Sequence, residues 1–441
     1  MKAFMGLLYL AGVYRGSRLN LEDLWDPSGD GVETFRLTMS LKRFQFLMRC
    51  IRFDNKETRN ERKELDRIAP IRECFETFVA NCQKSYSLGE NVTLDEKLEA
   101  FQGRCGFRQY IPSKPAKYGI KIFALVDSKM YYTFNMEVYA GKQPDGPYAV
   151  SNHCTGVVHR MVSPIVNSGR NVTSDNWFSD VPLLSDLADK KLSLVATLKK
   201  KKWQIPDVFK HMANRSEKSS IFGFRKEGTL VSYAPRKNKN VFLISSLYFD
   251  DAIDDSTGPS KKPDIVTFYN ETKGGVDTVD KLCATYNVAR NARRWPLVIF
   301  FAMLNVAGIN AQVIYSGNGY VVANRRTFLR QLAKGLVSEE MTRRSAEKQN
   351  LHITLRHRLT EVTKQPLKCR ESNSKSQEMN DQNNKRKLCE PCREDKQRKN
   401  TKYCCATCGK YLCLSHVTII CKDCYECKTS SADDGLEVDS E

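Results

Sequence analysis

The chain has 441 residues, 41% of them hydrophobic, and carries 70 Lys and Arg against 51 Asp and Glu, a net charge of +19. That length is too great for one core and predicts two to four domains, while the apolar content is that of a chain able to fold. The charge points to a polyanionic partner, and to nucleic acid over membrane, because the basic residues are spread through foldable segments and no apolar run reaches the roughly 20 residues of a bilayer span.

The first segment, MKAFMGLLYLAGVYRG, has one early Lys and a short apolar run, as a signal peptide would. No small-residue cleavage site follows, and the pattern continues into LEDLWD, so a folded amphipathic helix is the reading. Residues up to about 90 read as helices, because LKRFQFLMRCIRF and PIRECFETFVANCQKSY space apolar residues three and four apart. NKETRNERKELDR between them is a charged connection facing solvent or DNA. From Asn91 the period changes, and strands are predicted at NVTLD, YGIKIFALVD, MYYTFNMEVY, RNVTSD and LSLVATL, with a helix over DVPLLSDLADK. Three strands followed by alternating helix and strand suit a ribonuclease H-like layout.

Two of these strands end in an isolated acid, Asp95 after Val92–Leu94 and Asp175 after Val172. A third acidic stretch, KGGVDTVD at Lys273–Asp280, places Asp277 and Asp280 three residues apart after a Gly-Gly pair. On a helix, residues i and i+3 share a face, so both carboxylates would point the same way. Alone, this could be an acidic first turn favoured by the helix dipole. With Asp95 and Asp175 it reads as a divalent-metal site, since like charges held together call for a cation between them. Asp95, Asp175 and Asp277 are the candidate ligands for Mg²⁺ or Mn²⁺, hard ions that take carboxylate and phosphate oxygens. Two ions roughly 3.5–4 Å apart can activate an attacking oxygen and stabilise a leaving one in phosphodiester chemistry.

Directly after Asp95 comes FQGRCGFRQYIPSKPAKYG, basic residues interleaved with rings, Gly and Pro. It is either a surface hairpin or a nucleic-acid contact through Arg104, Arg108, Lys114, Lys117 and Lys121. LKKKKWQIP follows the fifth strand and reads as a solvated lysine run or a second DNA contact. Residues 200–263 read as several short strands inserted before the last acidic helix, holding DNA or covering a sheet edge. WPLVIFFAMLNVAGINAQVIY is long and apolar, but Asn305, Asn310 and Gln312 argue for a buried helix over a membrane span. NRRTFLRQLAKGL and TLRHRL are basic amphipathic helices. ESNSKSQEMNDQNNKRK has no apolar period and reads as a disordered linker, and its final basic run suits nuclear import.

Nine of the 16 cysteines fall between Cys389 and Cys427. Cys389/Cys392, Cys405/Cys408, Cys413/His416 and Cys421/Cys424 form four ligand pairs of metal-binding spacing, enough for two tetrahedral zinc ions. Clustering of this kind fits metal thiolates in a reducing compartment better than a disulfide framework. Cys404 and Cys427 are spares, and Cys404 could compete with Cys405. Lys399 and Lys402 suit DNA contact.

TLDEKLEAFQGRCGFRQYIPSKPAKYGIKIFALVDS, NVTSDNWFSDVPL, YNETKGGVDTVDKLC and ARRWP, in that order, resemble the core of the piggyBac-type transposases. The resemblance runs from about Trp25 to Cys424. It implies a ribonuclease H-like core in a multidomain α/β chain, with catalytic aspartates at Asp95, Asp175 and Asp277 and Asp280 as an additional acid. It implies cut-and-paste transposition of double-stranded DNA at TTAA targets by a nuclear homodimer. Basic residues at Lys199 and Lys202 would handle target DNA, although the family carries Arg where Lys199 stands. Trp295 would lie near the active site, in core packing or stacked on DNA. The zinc pairs would cross-brace, first with third and second with fourth. In relatives a further acidic, disordered segment precedes the position of Met1. The expected organisation is a helical dimerisation and DNA-binding domain at 1–90 and 287–365 and the core at 91–199 and 264–286. A β-rich insertion at 200–263, a linker at 366–384, the zinc module at 385–427 and an acidic tail at 428–441 complete it. The rival readings are a domesticated DNA-binding or chromatin protein without transposition, and a zinc-finger interaction protein.

Overall fold

The computed structural model describes residues 1–16, 19–211, 215–346, 351–364, 387–395, 397–404 and 410–417. The chain divides into two compact units, Met1–Glu339 and Glu340–Glu441.

The first unit is built on one mixed sheet. Its strands are β1 (Asn91–Ala100), β2 (Gln109–Tyr110), β3 (Tyr118–Asp127), β4 (Thr133–Val138), β5 (Asn171–Ser174), β6 (Ser193–Leu198), β7 (Ser219–Arg225), β8 (Gly228–Arg236) and β9 (Lys239–Ser245). They lie in the order β2-β3-β1-β5-β6-β9-β8-β7, with β4 also on β3. β1, β5 and β6 run parallel, whereas β3 and β9 flank them antiparallel. Within residues 200–263, expected as short inserted strands that hold DNA or cover a sheet edge, β7–β9 extend the sheet at β6: β9 pairs with β6 at Val195↔Ser245 through Leu198↔Phe242. Sequence periodicity could not show this, because the pairing joins segments about fifty residues apart.

Strand alternation divides the side chains between two covered faces. On one, Val92, Leu94, Phe123 and Leu125 pack with Val157, Met161, Leu183 and Leu187 from the helices Cys154–Val162 and Pro182–Ala188. On the other, Val195, Val231 and Leu243 pack with Ile265 and Val266 of the helix Asp264–Thr272. The helix Gly275–Thr285 lies on β1.

The helices before and after the sheet belong to the same unit. The helix Lys2–Val13 is buried along most of its length. It ends at Val13, short of the expected continuation through LEDLWD, where Arg15 takes a left-handed φ of 53° and a separate turn, Leu21–Leu24, follows. The charged connection contains a helix, Arg59–Leu65, whose Arg59 and Arg62 both pair with Asp54. The apolar helix Trp295–Gly317 has the length and hydropathy of a membrane span but packs inside the unit. Its buried Asn310 accepts from Thr133 N (2.9 Å) and donates to Thr133 O (2.8 Å), tying the helix to β4.

In the second unit, the helix Ile353–Thr363 and a short strand pair, Lys387–Leu388 with Asn400–Thr401, are described. The expected linker at 366–384, the acidic tail at 428–441, and Cys405, Cys408, Cys421 and Cys424 lie outside the described residues.

Candidate active site

The parallel register sets Leu94 opposite Ser174, so Asp95 and Asp175 occupy the next level on adjacent strands. Neighbouring strands are about 4.8 Å apart, close enough for the two carboxylates to share an ion. Asp95 lies inside β1, which runs on to Ala100, while Asp175 directly follows β5. The Asp175 carboxylate accepts from its own loop at Trp177 N (2.8 Å), which fixes its direction.

Asp277 comes from a helix that packs on β1. Gly274 is the N-cap and Gly275 the first residue of Gly275–Thr285, so Asp277 stands in the first turn. Gly275 touches β1: a Cβ there would lie 2.9 Å from Thr93 Cβ and closer still to the Thr93 hydroxyl. A buried hydroxyl cluster holds this approach. Thr93 donates to Thr272 O (2.6 Å) and shares a hydrogen bond with Ser128 (3.0 Å), and Thr173 bonds the Thr272 hydroxyl (2.8 Å). The Gly-Gly pair, read as part of a loop or helix start, is thus one cap and one packing contact.

The electrostatics are those of acids short of cations. Burial, then the Glu96 charge, with Asp175 adding less, push the Asp95 carboxyl up to about 8, against the Glu96 N–H hydrogen bond and a weaker pull from Lys114. The Tyr269 phenol is raised by burial, a hydrogen bond with Thr197 opposes the shift, and Asp175, Asp95 and Asp277 add smaller pushes upward. Glu96 Oε2 is buried without a hydrogen-bond partner, with Lys121 Nζ 3.9 Å away. Asp277 is largely exposed and its ion-pair partner is Lys114, at 3.8 Å. Asp95, Asp175 and Asp277 are hard oxygen donors, the type that suits Mg²⁺ or Mn²⁺, but Asp277 faces Lys114 and is not gathered with the other two as tightly as the C-terminal cysteine and histidine set.

Asp280 is placed differently. Its Oδ1 lies 3.4 Å from Lys97 Nζ, which also meets Glu99 at 2.9 Å. Burial works against the Lys97 charge, and Cys283, Glu99 and Asp280 more than offset it, so the ammonium stays above the ordinary lysine range.

The predicted DNA contacts separate into groups. Arg104, Arg108, Lys117 and Lys199 are exposed. Lys114 and Lys121 turn inward: Lys114 donates to Glu96 O (3.1 Å), and Lys121 sits over the Trp177 ring (4.2 Å), its pKa lowered by burial. Lys202 is paired with Asp180 at 3.1 Å. Lys199 and Lys202 follow β6 at the same edge of the parallel strands as Asp175. Trp295 packs edge-on against Phe107, ring centroids 5.0 Å apart.

Sequence reasoning passed over several residues. Trp203, in the same lysine-rich loop, is 85% exposed. Arg52, Arg59, Lys63, Arg293, Arg294 and Trp295 line a pocket of about 220 Å³. They come from segments some 240 residues apart, and only the adjacent arginines of ARRWP gave a local sign. Lys97, which drew no notice in the sequence, is 1% exposed.

At the C-terminal end Cys389, Cys392, Cys413 and His416 bring their ligand atoms within 4.8 Å of one another. Cys392 and Cys413 sulfurs are 3.7 Å apart, and His416 Nδ1 lies 3.4 Å from each. A tetrahedral ion about 2.3 Å from each sulfur needs sulfurs roughly 3.8 Å apart, so the set fits zinc. The first and third ligand pairs form this cluster.

Comparison with known proteins places these features in a family. A family model described as "Transposase IS4" matches residues 1–312. PiggyBac transposable element-derived protein 3 of Homo sapiens is 19% identical over 319 residues, covering 69% of this chain and 53% of that protein. PiggyBac transposable element-derived protein 2 of Homo sapiens is 22% identical over 311 residues, covering 67% and 51%. The chain thus spans about half the length of the curated relatives it matches. A cryo-EM structure of a piggyBac transposase synaptic complex with hairpin DNA matches with a TM-score of 0.80 and 35% identity, over 96% of this chain and 87% of that one.

Proposed function

This chain belongs to the IS4 and piggyBac family of transposases, and from that premise we propose that it is an active cut-and-paste DNA transposase with a ribonuclease H-like core. The observation that carries the proposal is the level register of Asp95 with Asp175, completed by Asp277 from a helix that Gly275 lets down onto β1. Asp95, Asp175 and Asp277 would hold two Mg²⁺ or Mn²⁺ ions, which when bound supply an activated attacking oxygen and a stabilised leaving oxygen.

In this reading water breaks one P–O bond at each transposon end and leaves a 3′-OH. That hydroxyl attacks the opposite strand, forming a hairpin and releasing flanking DNA. A second water opens the hairpin and frees the 3′-OH, which attacks a phosphate of the TTAA target and displaces the 3′-OH of the neighbouring target nucleotide. Lys114, the ion-pair partner of Asp277, would steady the scissile phosphate, whereas Lys121 is held by Glu96 and the Trp177 ring. Exposed Arg104, Arg108, Lys117, Lys199 and Trp203 would carry the flanking and target duplex, phosphates on the cations and bases on the ring. Zinc held by Cys389, Cys392, Cys413 and His416, and a second ion held by Cys405, Cys408, Cys421 and Cys424, would fold the C-terminal module. A second copy of the chain as partner and a nuclear location complete the proposal.

The test is Mg²⁺-dependent nicking of a DNA carrying the element's own ends. Asp95→Ala, Asp175→Ala and Asp277→Ala should each abolish nicking and leave DNA binding, which rests on Lys and Arg, largely intact. Near-normal nicking by any of the three removes that residue from the reaction. A parent that binds specifically and never nicks would move the domesticated DNA-binding reading ahead.

A further inference from the structure

We propose that Lys97 and Asp280 form a buried positioning pair that fixes the helix Gly275–Thr285 on β1, so that Asp280 serves Lys97 and leaves the metal to its neighbours. Alternation along β1 puts Thr93, Asp95, Lys97 and Glu99 on the face that the helix covers. Two contacts then pin the helix along its length. At its start, Gly275 rests on Thr93. One turn further, Asp280 reaches Lys97 at 3.4 Å, and Lys97 Nζ lies 3.9 Å from Cys283 Sγ in the following turn.

Asp277 stands between these two pins, with Lys114 at 3.8 Å its ion-pair partner. Its height and rotation above Asp95 are therefore set by Gly275 on one side and Asp280 on the other. Lys97 is 1% exposed, so it cannot turn to solvent if a partner is lost. A buried charge left without its partner is strongly destabilising, which makes the pair a lock. Glu99, at 2.9 Å, supplies the second carboxylate that keeps the ammonium neutralised.

Cys283 is a built-in probe of the lock, being buried beneath the same helix. The experiment uses the full zinc-loaded chain without DNA. Alkylation of Cys283 by N-ethylmaleimide is followed by peptide mass spectrometry in the parent, Lys97→Gln, Asp280→Asn and the double variant. Each single change should speed Cys283 alkylation at least tenfold, and the double, which replaces the ion pair by a neutral amide pair, should recover most of the protection. Should Lys97→Gln prove insoluble, Asp280→Asn against Asp280→Glu decides, since only Glu restores a charge for Lys97. Equal protection in all variants, or strictly additive losses, overturns the pair.

Calorimetry with Mn²⁺ on the same proteins supplies the second arm. Asp280→Asn should keep Mn²⁺ affinity within about twofold in the double variant; a loss of tenfold or more there would make Asp280 a ligand and overturn the division of roles. The second arm rests on the proposed function and the alkylation arm does not. A parent that binds no Mn²⁺ would count against the transposase reading, and Cys283 protection would still decide the lock.

Discussion

Gly275→Ala is the smallest change that should separate the fold from its chemistry. The new Cβ would stand 2.9 Å from Thr93 Cβ, whereas carbon atoms rest about 3.5–4.0 Å apart. The helix start must therefore rise by roughly 0.6–1.1 Å, or Thr93 must give way. Thr93 cannot swing aside freely, because its hydroxyl is committed to Thr272 O and Ser128. Overpacking of this kind costs about 1–3 kcal/mol, small enough for the unit to stay folded. The displacement falls on Asp277, two residues on, and an error of about 1 Å in a catalytic group can cost on the order of 100-fold in rate. Gly274→Ala is the matched control, since a Cβ there meets nothing within 4 Å and the residue has an ordinary φ of −86°. The assay is nicking of supercoiled plasmid bearing the element ends, with thermal unfolding alongside. Gly275→Ala should lose roughly 30–100-fold in nicking while Gly274→Ala stays within about threefold of the parent. Parent-like nicking by Gly275→Ala would refute the claim that this contact sets Asp277.

Three further outcomes are expected. Metal analysis of the full chain should find two zinc ions, and Cys413→Ala should lower the count by one; an unchanged count would remove Cys413 from the ligands. Arg293→Gln, on the rim of the arginine-lined pocket, should weaken DNA binding about equally across sequences and lower the salt slope by about 1. A sequence-selective loss would instead make the pocket a base reader. Deletion of residues 385–441 should remove preference for the element's own ends and leave salt-sensitive, sequence-indifferent binding, because phosphate contacts carry little sequence information. Competition between terminal-repeat and scrambled DNA at fixed salt reads it, and a preserved preference would pass the specificity role to another part of the chain.

Much of this site was legible because its signals are local. A β-type run leading into an acid marks Asp95 and Asp175, although β1 carries on past Asp95 to Ala100, and paired cysteines at fixed spacing mark Cys389, Cys392, Cys413 and His416 as a candidate metal set without any knowledge of packing. What escaped depends on contacts between distant segments. A lysine in a half-polar strand reads as a solvent-facing charge, and only the helix lying on it makes Lys97 buried. The Gly-Gly pair carries no sign of which glycine touches β1. Strands β7–β9 were readable as strands, but their place at the edge of β6 follows from a pairing no local pattern records. The helix break at Val13 was missed because the apolar spacing carries on past it, while the left-handed Arg15 ends the helix.

The lysines also sort the acids into two kinds, and this gives a prediction of sign. Asp280 and Glu99 share a buried ammonium at 3.4 and 2.9 Å. Asp95 has no comparable partner among the described residues: it accepts from Glu96 N (2.7 Å), and its carboxyl is pushed up from the usual 3.8 to about 8. A carboxyl raised in the folded state makes ionisation costly, so stability is lost as pH climbs from about 4 toward 8. Asp95→Asn removes that cost. In the absence of added Mg²⁺ it should stabilise the unit at pH 8 by about 1–3 kcal/mol, with the gain fading toward pH 4. Asp280→Asn leaves the buried Lys97 with Glu99 alone and should destabilise at the same pH by about 1 kcal/mol, a small figure because burial raises the Asp280 carboxyl too, against the pull of Lys97, and its carboxylate is one-third exposed. All four tryptophans, Trp25, Trp177, Trp203 and Trp295, lie in the first unit, so urea unfolding followed by their fluorescence reports both variants on one scale. Opposite signs are expected because a site kept short of cations for an incoming metal gains from losing a charge, whereas a neutralised lock loses by it. Changes of the same sign would show that Asp95 and Asp280 are acids of one kind, and the separation of metal ligands from positioning residues would fall.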